Sequence, residues 1–151
     1  IRQPVWKDNA TLFSQTALDA PRSYRARAAR AVLWIEGGRE AEGEREYLAA
    51  LALYRDDPTV IADLANYYVG KARFADALPL YQRVLELVPD HWTATSRSIL
   101  CLIQLDRLPE ARALADVATR RGDEGAAAKL AYVDSLIVRL SQPGSLAPGP
   151  P

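Results

Sequence analysis

The stretch that decides the fold runs from Asp57 to Asp90, DPTVIADLANYYVGKARFADALPLYQRVLELVPD. Two apolar stripes run through it. Val60, Leu64, Tyr67 and Tyr68 recur at helical spacing; after the break GKAR, so do Phe74, Ala77, Leu78, Tyr81, Val84 and Leu85. Asp57 ahead of Pro58 is a helix start. The carboxylate can accept from the free N–H groups of the first turn, and a proline there gives up an N–H that has no partner anyway. Pro89 stops the second stripe, and Asp90 is placed to cap a following helix. The stretch therefore predicts two antiparallel helices. Small residues at Ala65 and Ala77 let them approach, while Tyr68 and Tyr81 fill the space beside them.

The same pattern recurs along the chain at intervals of 34 residues. Phe13, Tyr47, Tyr81 and Ala115 share one phase. Ala31, Ala65 and Ile99 share a second, and Trp34, Tyr68 and Leu102 a third. Thr16, Ala50, Val84 and Ala118 hold one position at small or medium size, and Gly43, Ala77 and Ala111 keep another small. Gly38, Ala72 and Asp106 mark the same turn. Pro21 and Pro89 lie two periods apart with Arg55 between them. Pro109 falls at the start of its helix, where its missing N–H costs little. Pro79 falls about a turn further in, which predicts a local bend or a looser first turn.

These residues resemble the tetratricopeptide repeat (TPR). The pattern of Leu, Gly or Ala, Tyr, Ala, Tyr or Phe, and Pro is matched by Leu64, Ala65, Tyr68, Ala77, Tyr81 and Pro89. The flanking repeats depart from it: Gly43 stands for Ala, Arg55 for Pro and Ala115 for the second aromatic. The resemblance covers about residues 6–121 and implies an all-α, right-handed α-solenoid. The expected order is a lone helix over about 7–19, helix pairs over about 22–55, 57–89 and 90–121, and a capping helix over about 123–141. In that last helix Leu130, Val133, Leu136, Ile137 and Leu140 are placed to cover the open end of the array. The first 142 residues make one domain. Pro143 to Pro151, with six Pro or Gly in nine residues, reads as a disordered tail or linker.

Composition limits the function. Hydrophobic residues are 49% and charged residues 25%, with 19 basic against 19 acidic side chains. No net positive charge draws the chain to nucleic acid or to an anionic membrane surface. The one cysteine, Cys101, sits among apolar neighbours and reads as a buried, inert thiol. His91 stands beside Pro89 without a ligand set around it. No phosphate loop, dinucleotide fingerprint, zinc motif or nucleophile elbow is present. Gly37 and Gly38 in WIEGGRE end a helix and do not follow a strand. The paired acids Asp56–Asp57 and Asp123–Glu124 sit at helix starts, where the helix dipole favours them. Arg22, Arg25, Arg27 and Arg30 read as a solvated face, with Glu36, Glu40, Glu42 and Glu44 close behind. No catalytic residue, metal or cofactor is expected.

The resemblance nominates a binding surface. In TPR arrays the first helices of successive pairs line a concave groove. Here that implies Arg25, Ala28, Val32 and Ile35, then Thr59, Ala62, Asn66 and Val69, then Thr93, Ser96, Leu100 and Ile103, with Gln104 at the rim. Asn66 stands where the family often uses Asn to bond a ligand's backbone, since its amide offers a donor and an acceptor. Its alternative role is a bond to neighbouring backbone. Some TPR domains hold a partner's C-terminal carboxylate with a Lys, Asn and Arg set. The matching positions are Ala28, Val32, Asp63, Thr93 and Arg97, of which only Arg97 fits, so that mode is excluded. The groove suits an extended or helical apolar segment of a protein, or a segment of the same chain or of a second copy.

A second resemblance enters at QPVWKDNATLFSQTALDAPRSYRAR. Trp6, Lys7, Asp8, Leu12, Phe13 and Pro21 are similar to the junction in protein O-mannosyltransferase-like membrane glycosyltransferases, where TPRs follow the last membrane helix. The chain has no initiator Met and reads as an excised fragment. The expected function is thus a non-catalytic, protein- or peptide-binding domain. Its implied setting is the extracytoplasmic C-terminal part of a bacterial membrane protein, with the membrane entering only through a preceding region. A cytoplasmic adaptor, or a domain that itself touches a glycan or lipid-linked substrate, is the alternative.

Overall fold

A computed structural model describes residues 23–141, and these form seven α-helices with no strand among them. The helices are α1 (Tyr24–Glu36), α2 (Glu40–Leu53), α3 (Pro58–Gly70), α4 (Phe74–Leu87), α5 (Trp92–Gln104), α6 (Leu108–Arg121) and α7 (Ala126–Ser141). The lone helix expected over 7–19, its residues Trp6, Phe13 and Pro21, and the tail from Pro143 lie outside the described residues. The chain divides into two compact units at Leu64 and Ala65, within α3.

In the first unit α1 packs on α2 around Ala31, Tyr47 and Ala50, with Val60, Ile61 and Leu64 of α3 also buried. Gly43 of α2 faces α1 so closely that a Cβ built there would lie 2.8 Å from the Ala31 carbonyl oxygen. Arg27 and Arg30 of α1 both reach Glu46 of α2, at 3.2 and 2.7 Å. They are spent on helix pairing, which absorbs half of the arginine run noted in the sequence. In the second unit α4 packs on α5, α5 on α6 and α6 on α7. Its core runs from Ala65, Tyr68, Ala77 and Tyr81 to Ile99, Ala111, Ala115 and Val133. Cys101 is fully buried, and that burial pushes its thiol up from the ordinary value, as an inert core cysteine requires.

One turn recurs three times. Gly38, Ala72 and Asp106 all adopt positive φ, at 77°, 56° and 57°. The next residue's N–H reaches back to close each preceding helix: Arg39 to the Trp34 carbonyl at 2.7 Å, Arg73 to Tyr68 at 2.8 Å and Arg107 to Leu102 at 2.8 Å. This six-to-one bond satisfies a carbonyl that the helix end would leave open. The same three arginines then pair with an acid one turn into the next helix: Arg39 with Glu42, Arg73 with Asp76 and Arg107 with Glu110, at 2.9, 2.8 and 2.6 Å. Arg39 also stacks on Trp34 and Arg73 on Tyr68, at 4.0 and 4.2 Å from the ring centres. The turn positions were legible in the sequence. The Arg-x-x-acid repeat was legible too, because it has the same period, but periodicity of apolar residues alone passes over it.

Asp57 caps α3 as its position predicts: its Oδ1 accepts from the N–H groups of Thr59 and Val60, at 2.9 and 3.3 Å. Asp90 does not cap α5. His91 does, with Nδ1 accepting from the Ala94 N–H at 3.2 Å. The helix starts at Trp92, so the residue directly before it, and not Asp90, has the capping geometry. Helix α4 runs through Phe74–Leu87 with Pro79 inside it, one backbone N–H short at that position. Pro109 sits in the first two positions of α6. The last helix begins at Ala126 and not near 123, because Gly122 and Gly125 both take positive φ and hold the chain in a turn between them. Within it Val133 is buried and Leu130, Leu136 and Ile137 are half-buried, while Leu140, expected to help cover the end of the array, is 69% exposed.

Candidate functional site

The nominated groove residues fall on both units. In the first, the face of α1 and the start of α3 form a cleft of about 410 Å³. Four of the nominated residues line it: Arg25, Ala28 and Val32 from α1, and Thr59 from α3. Ala29, Val60, Asp57 and Asp63 complete the lining. Residues four apart on one helix share a face, which is why Arg25, Ala28, Ala29 and Val32 appear together. Ala62 and Ile35, nominated by the same spacing, do not line the cleft.

The walls are small and apolar, and the polar groups are unevenly committed. Asp57 is fully used: besides the capping bonds, its Oδ2 accepts from the Tyr24 hydroxyl at 3.1 Å. Arg25 is exposed, and its Nε donates to the same Tyr24 hydroxyl at 2.8 Å. Asp63 is half-buried, and neither a hydrogen bond nor an ion pair holds it. Burial, and then the nearby Asp57 carboxylate, raise its carboxyl above the ordinary value. Asp63 in turn helps burial to push the Tyr47 phenol up to about 12. Asp63 is the residue whose meaning the sequence reading missed. It entered only as a mismatch to a carboxylate-binding set, whereas in the structure it is the charged group of the cleft that holds no hydrogen bond.

In the second unit Asn66 is exposed near the end of α3, and its Oδ1 accepts from the Tyr81 hydroxyl at 2.6 Å. Tyr81 itself is 1% exposed, and burial pushes its phenol up to about 12. The partner is a side chain across to α4 and not neighbouring backbone. The bond uses the oxygen of the amide and not its two N–H donors. Val69, Thr93, Ser96 and Leu100 are half-buried and Arg97 is exposed, with the last four carried on α5. A second cleft, of about 690 Å³, lies in this unit against Leu78, Leu85, Ser98, Leu102, Leu114 and Val117. None of the nominated residues lines it. Among the described residues no group of three or more His, Cys, Asp or Glu could hold a metal, and no helix is long and apolar enough to cross a membrane.

Comparison with known proteins bears on the fold. Residues 62–132 match the model of the tetratricopeptide repeat. No curated protein sequence matches the chain significantly. Among solved structures, MamA (AMB-1) superposes with a TM-score of 0.74 at 21% identity, over 86% of this chain and 72% of that one. YrrB, described as a TPR protein with an unusual peptide-binding site, gives 0.72 at 16%, over 87% of this chain and 69% of YrrB. The second TPR domain of human RPAP3, solved in complex with the HSP70 peptide SGPTIEEVD, gives 0.62 at 16%, over 74% and 98%. At such identities the likeness is one of fold: an all-α solenoid of TPR type.

Proposed function

We propose that this tetratricopeptide-repeat domain binds a segment of a partner protein through the faces of its first helices, and that the cleft between α1 and α3 is part of the contact. The observation that carries the reading is the meeting of Arg25, Ala28, Val32 and Thr59 in one cleft with small apolar walls and a few polar groups. Such a surface offers an extended chain close backbone approach at the alanines and orientation by the polar side chains. Val32, 38% exposed, is the apolar residue a ligand would cover first. The partner is a protein or peptide and not nucleic acid, since Arg27 and Arg30 of α1 are paired with Glu46 and the 19 basic side chains of the chain are balanced by 19 acidic ones. Panning a linear random-peptide library on the domain tests this. Selected peptides should bind the native chain and lose binding on Val32→Glu, while helicity and melting temperature hold. Peptides that ignore Val32→Glu would place binding elsewhere and sink the reading.

The setting we propose is the extracytoplasmic part of a bacterial membrane glycosyltransferase-like protein. It rests on the resemblance of Trp6, Lys7, Asp8, Leu12, Phe13 and Pro21 to that junction. The family match begins at residue 62 and does not bear on it. The sequence of the gene upstream of Ile1 decides the matter. A run of apolar spans sustains the proposal, and a soluble domain in that place removes it, leaving the cytoplasmic adaptor.

A further inference from the structure

The cleft between α1 and α3 contains a carboxylate that the fold does not use. Asp57 has three donors on its two oxygens: the Thr59 and Val60 N–H groups and the Tyr24 hydroxyl. Asp63, on the wall of the same cleft, has none, and the one charged group acting on it is the like-charged Asp57. Arg27 and Arg30 of α1 pair with Glu46, and Arg25, exposed on the lining of this cleft, acts on Tyr24 and Asp57 and not on Asp63. A half-buried carboxylate without a partner, beside a second carboxylate, is an unfavourable arrangement in a folded protein. An incoming cation relieves it. An incoming carboxylate aggravates it, because it adds a third negative charge to Asp57 and Asp63, and like charges in a cleft repel.

We propose that Asp63 is a specificity-determining residue of this cleft, and that the segment it accepts carries a lysine or arginine side chain seated between Asp63 and Asp57. The inference rests on the peptide-binding reading above and gives it a charge. The apolar walls at Ala28, Ala29, Val32 and Val60 accommodate the aliphatic stem of such a side chain, as long basic residues bury their methylenes and keep the head polar. Thr59, exposed at the start of α3, stands on the same lining with a hydroxyl that can accept from the ammonium or guanidinium group. The complementarity is the reverse of the carboxylate-holding mode. It also excludes a peptide whose acidic end enters this cleft first.

The test uses the same linear random-peptide library on three chains: native, Asp63→Asn and Asp63→Lys. Asp63 is half-exposed and holds no bond, so both variants should keep the native helicity, checked by circular dichroism. The native chain should enrich one basic position. Replacing that residue by glutamine in the best peptide should weaken binding to the native chain about tenfold, but by less than about twofold to Asp63→Asn. Asp63→Lys should enrich acidic residues instead. Native-chain peptides with no basic position, or an equal loss from the glutamine peptide on native and Asp63→Asn chains, would overturn the role of Asp63 while leaving peptide binding intact. An absence of any enrichment sensitive to Val32→Glu would overturn the underlying reading as well.

Discussion

Replacing Gly43 by alanine should destabilise this protein, although alanine is usual at that position in the repeat the sequence resembles and is the better helix former. Gly43 lies inside α2, where glycine costs roughly 1 kcal/mol relative to alanine, so the exchange begins with a gain of that size. Against it stands the contact with α1. The new Cβ would meet the Ala31 carbonyl oxygen at 2.8 Å, and Cγ1 and Cδ1 of Ile35 at 2.5 and 3.1 Å. Ile35 is β-branched and helical, so its Cγ1 cannot swing away without leaving its preferred rotamer. Ala31 is fully buried, and its carbonyl belongs to helix backbone, so α1 must move as a body. Overpacking of this kind costs about 1–3 kcal/mol, and strain at both a backbone and a branched side chain sets the upper part of that range. The net expectation is a loss of about 1–2 kcal/mol, or a melting temperature lower by roughly 3–8 °C. Gly70 is the control. It is also helical, at the end of α3, but nothing lies within 4 Å of its Cβ position, so Gly70→Ala should raise stability by up to about 1 kcal/mol. Urea and thermal unfolding followed by far-ultraviolet circular dichroism measure both. If Gly43→Ala melts at or above the native temperature, or both variants shift in the same direction, the account of helix approach at this position is wrong.

Two further outcomes follow from local geometry. Ala72 sits at φ 56° with its side chain exposed, so Ala72→Gly should relieve backbone strain and stabilise by about 0.5–1 kcal/mol, read as a higher urea midpoint with an unchanged slope. Asn66→Ala should lower the melting temperature because it strips the acceptor from the buried Tyr81 hydroxyl, at a cost of about 1–3 kcal/mol, whereas in the Tyr81→Phe background the same substitution should be nearly neutral.

The Asn66 result changes what a binding assay at that residue would mean. On sequence alone its loss reads as a probe of ligand contact. With its oxygen held by Tyr81, the substitution perturbs the α3–α4 packing as well, and only the Tyr81→Phe background separates the two effects.

Among the described residues, the sequence by itself determined the helices and the turns between them. Asp57 before Pro58, the apolar stripes, and the recurring Gly38, Ala72 and Asp106 are signals acting over a few residues, and each led to the right element. Caps, propensities and side-chain periodicity are local effects, so they survive without knowledge of the neighbours. The tertiary structure alone decided which polar groups are spent. Tyr24 reaches Asp57 across 33 residues, Arg30 reaches Glu46 across 16, and Tyr81 reaches Asn66 across 15. Those bonds depend on how helices cross, to within an ångström, and no spacing rule carries that distance. The same holds for Gly43, whose small size reads as a departure from the repeat until the Ala31 carbonyl is seen against it. It holds most for Asp63: its charge is plain in the sequence, but whether that charge is matched depends on every side chain packed around the cleft.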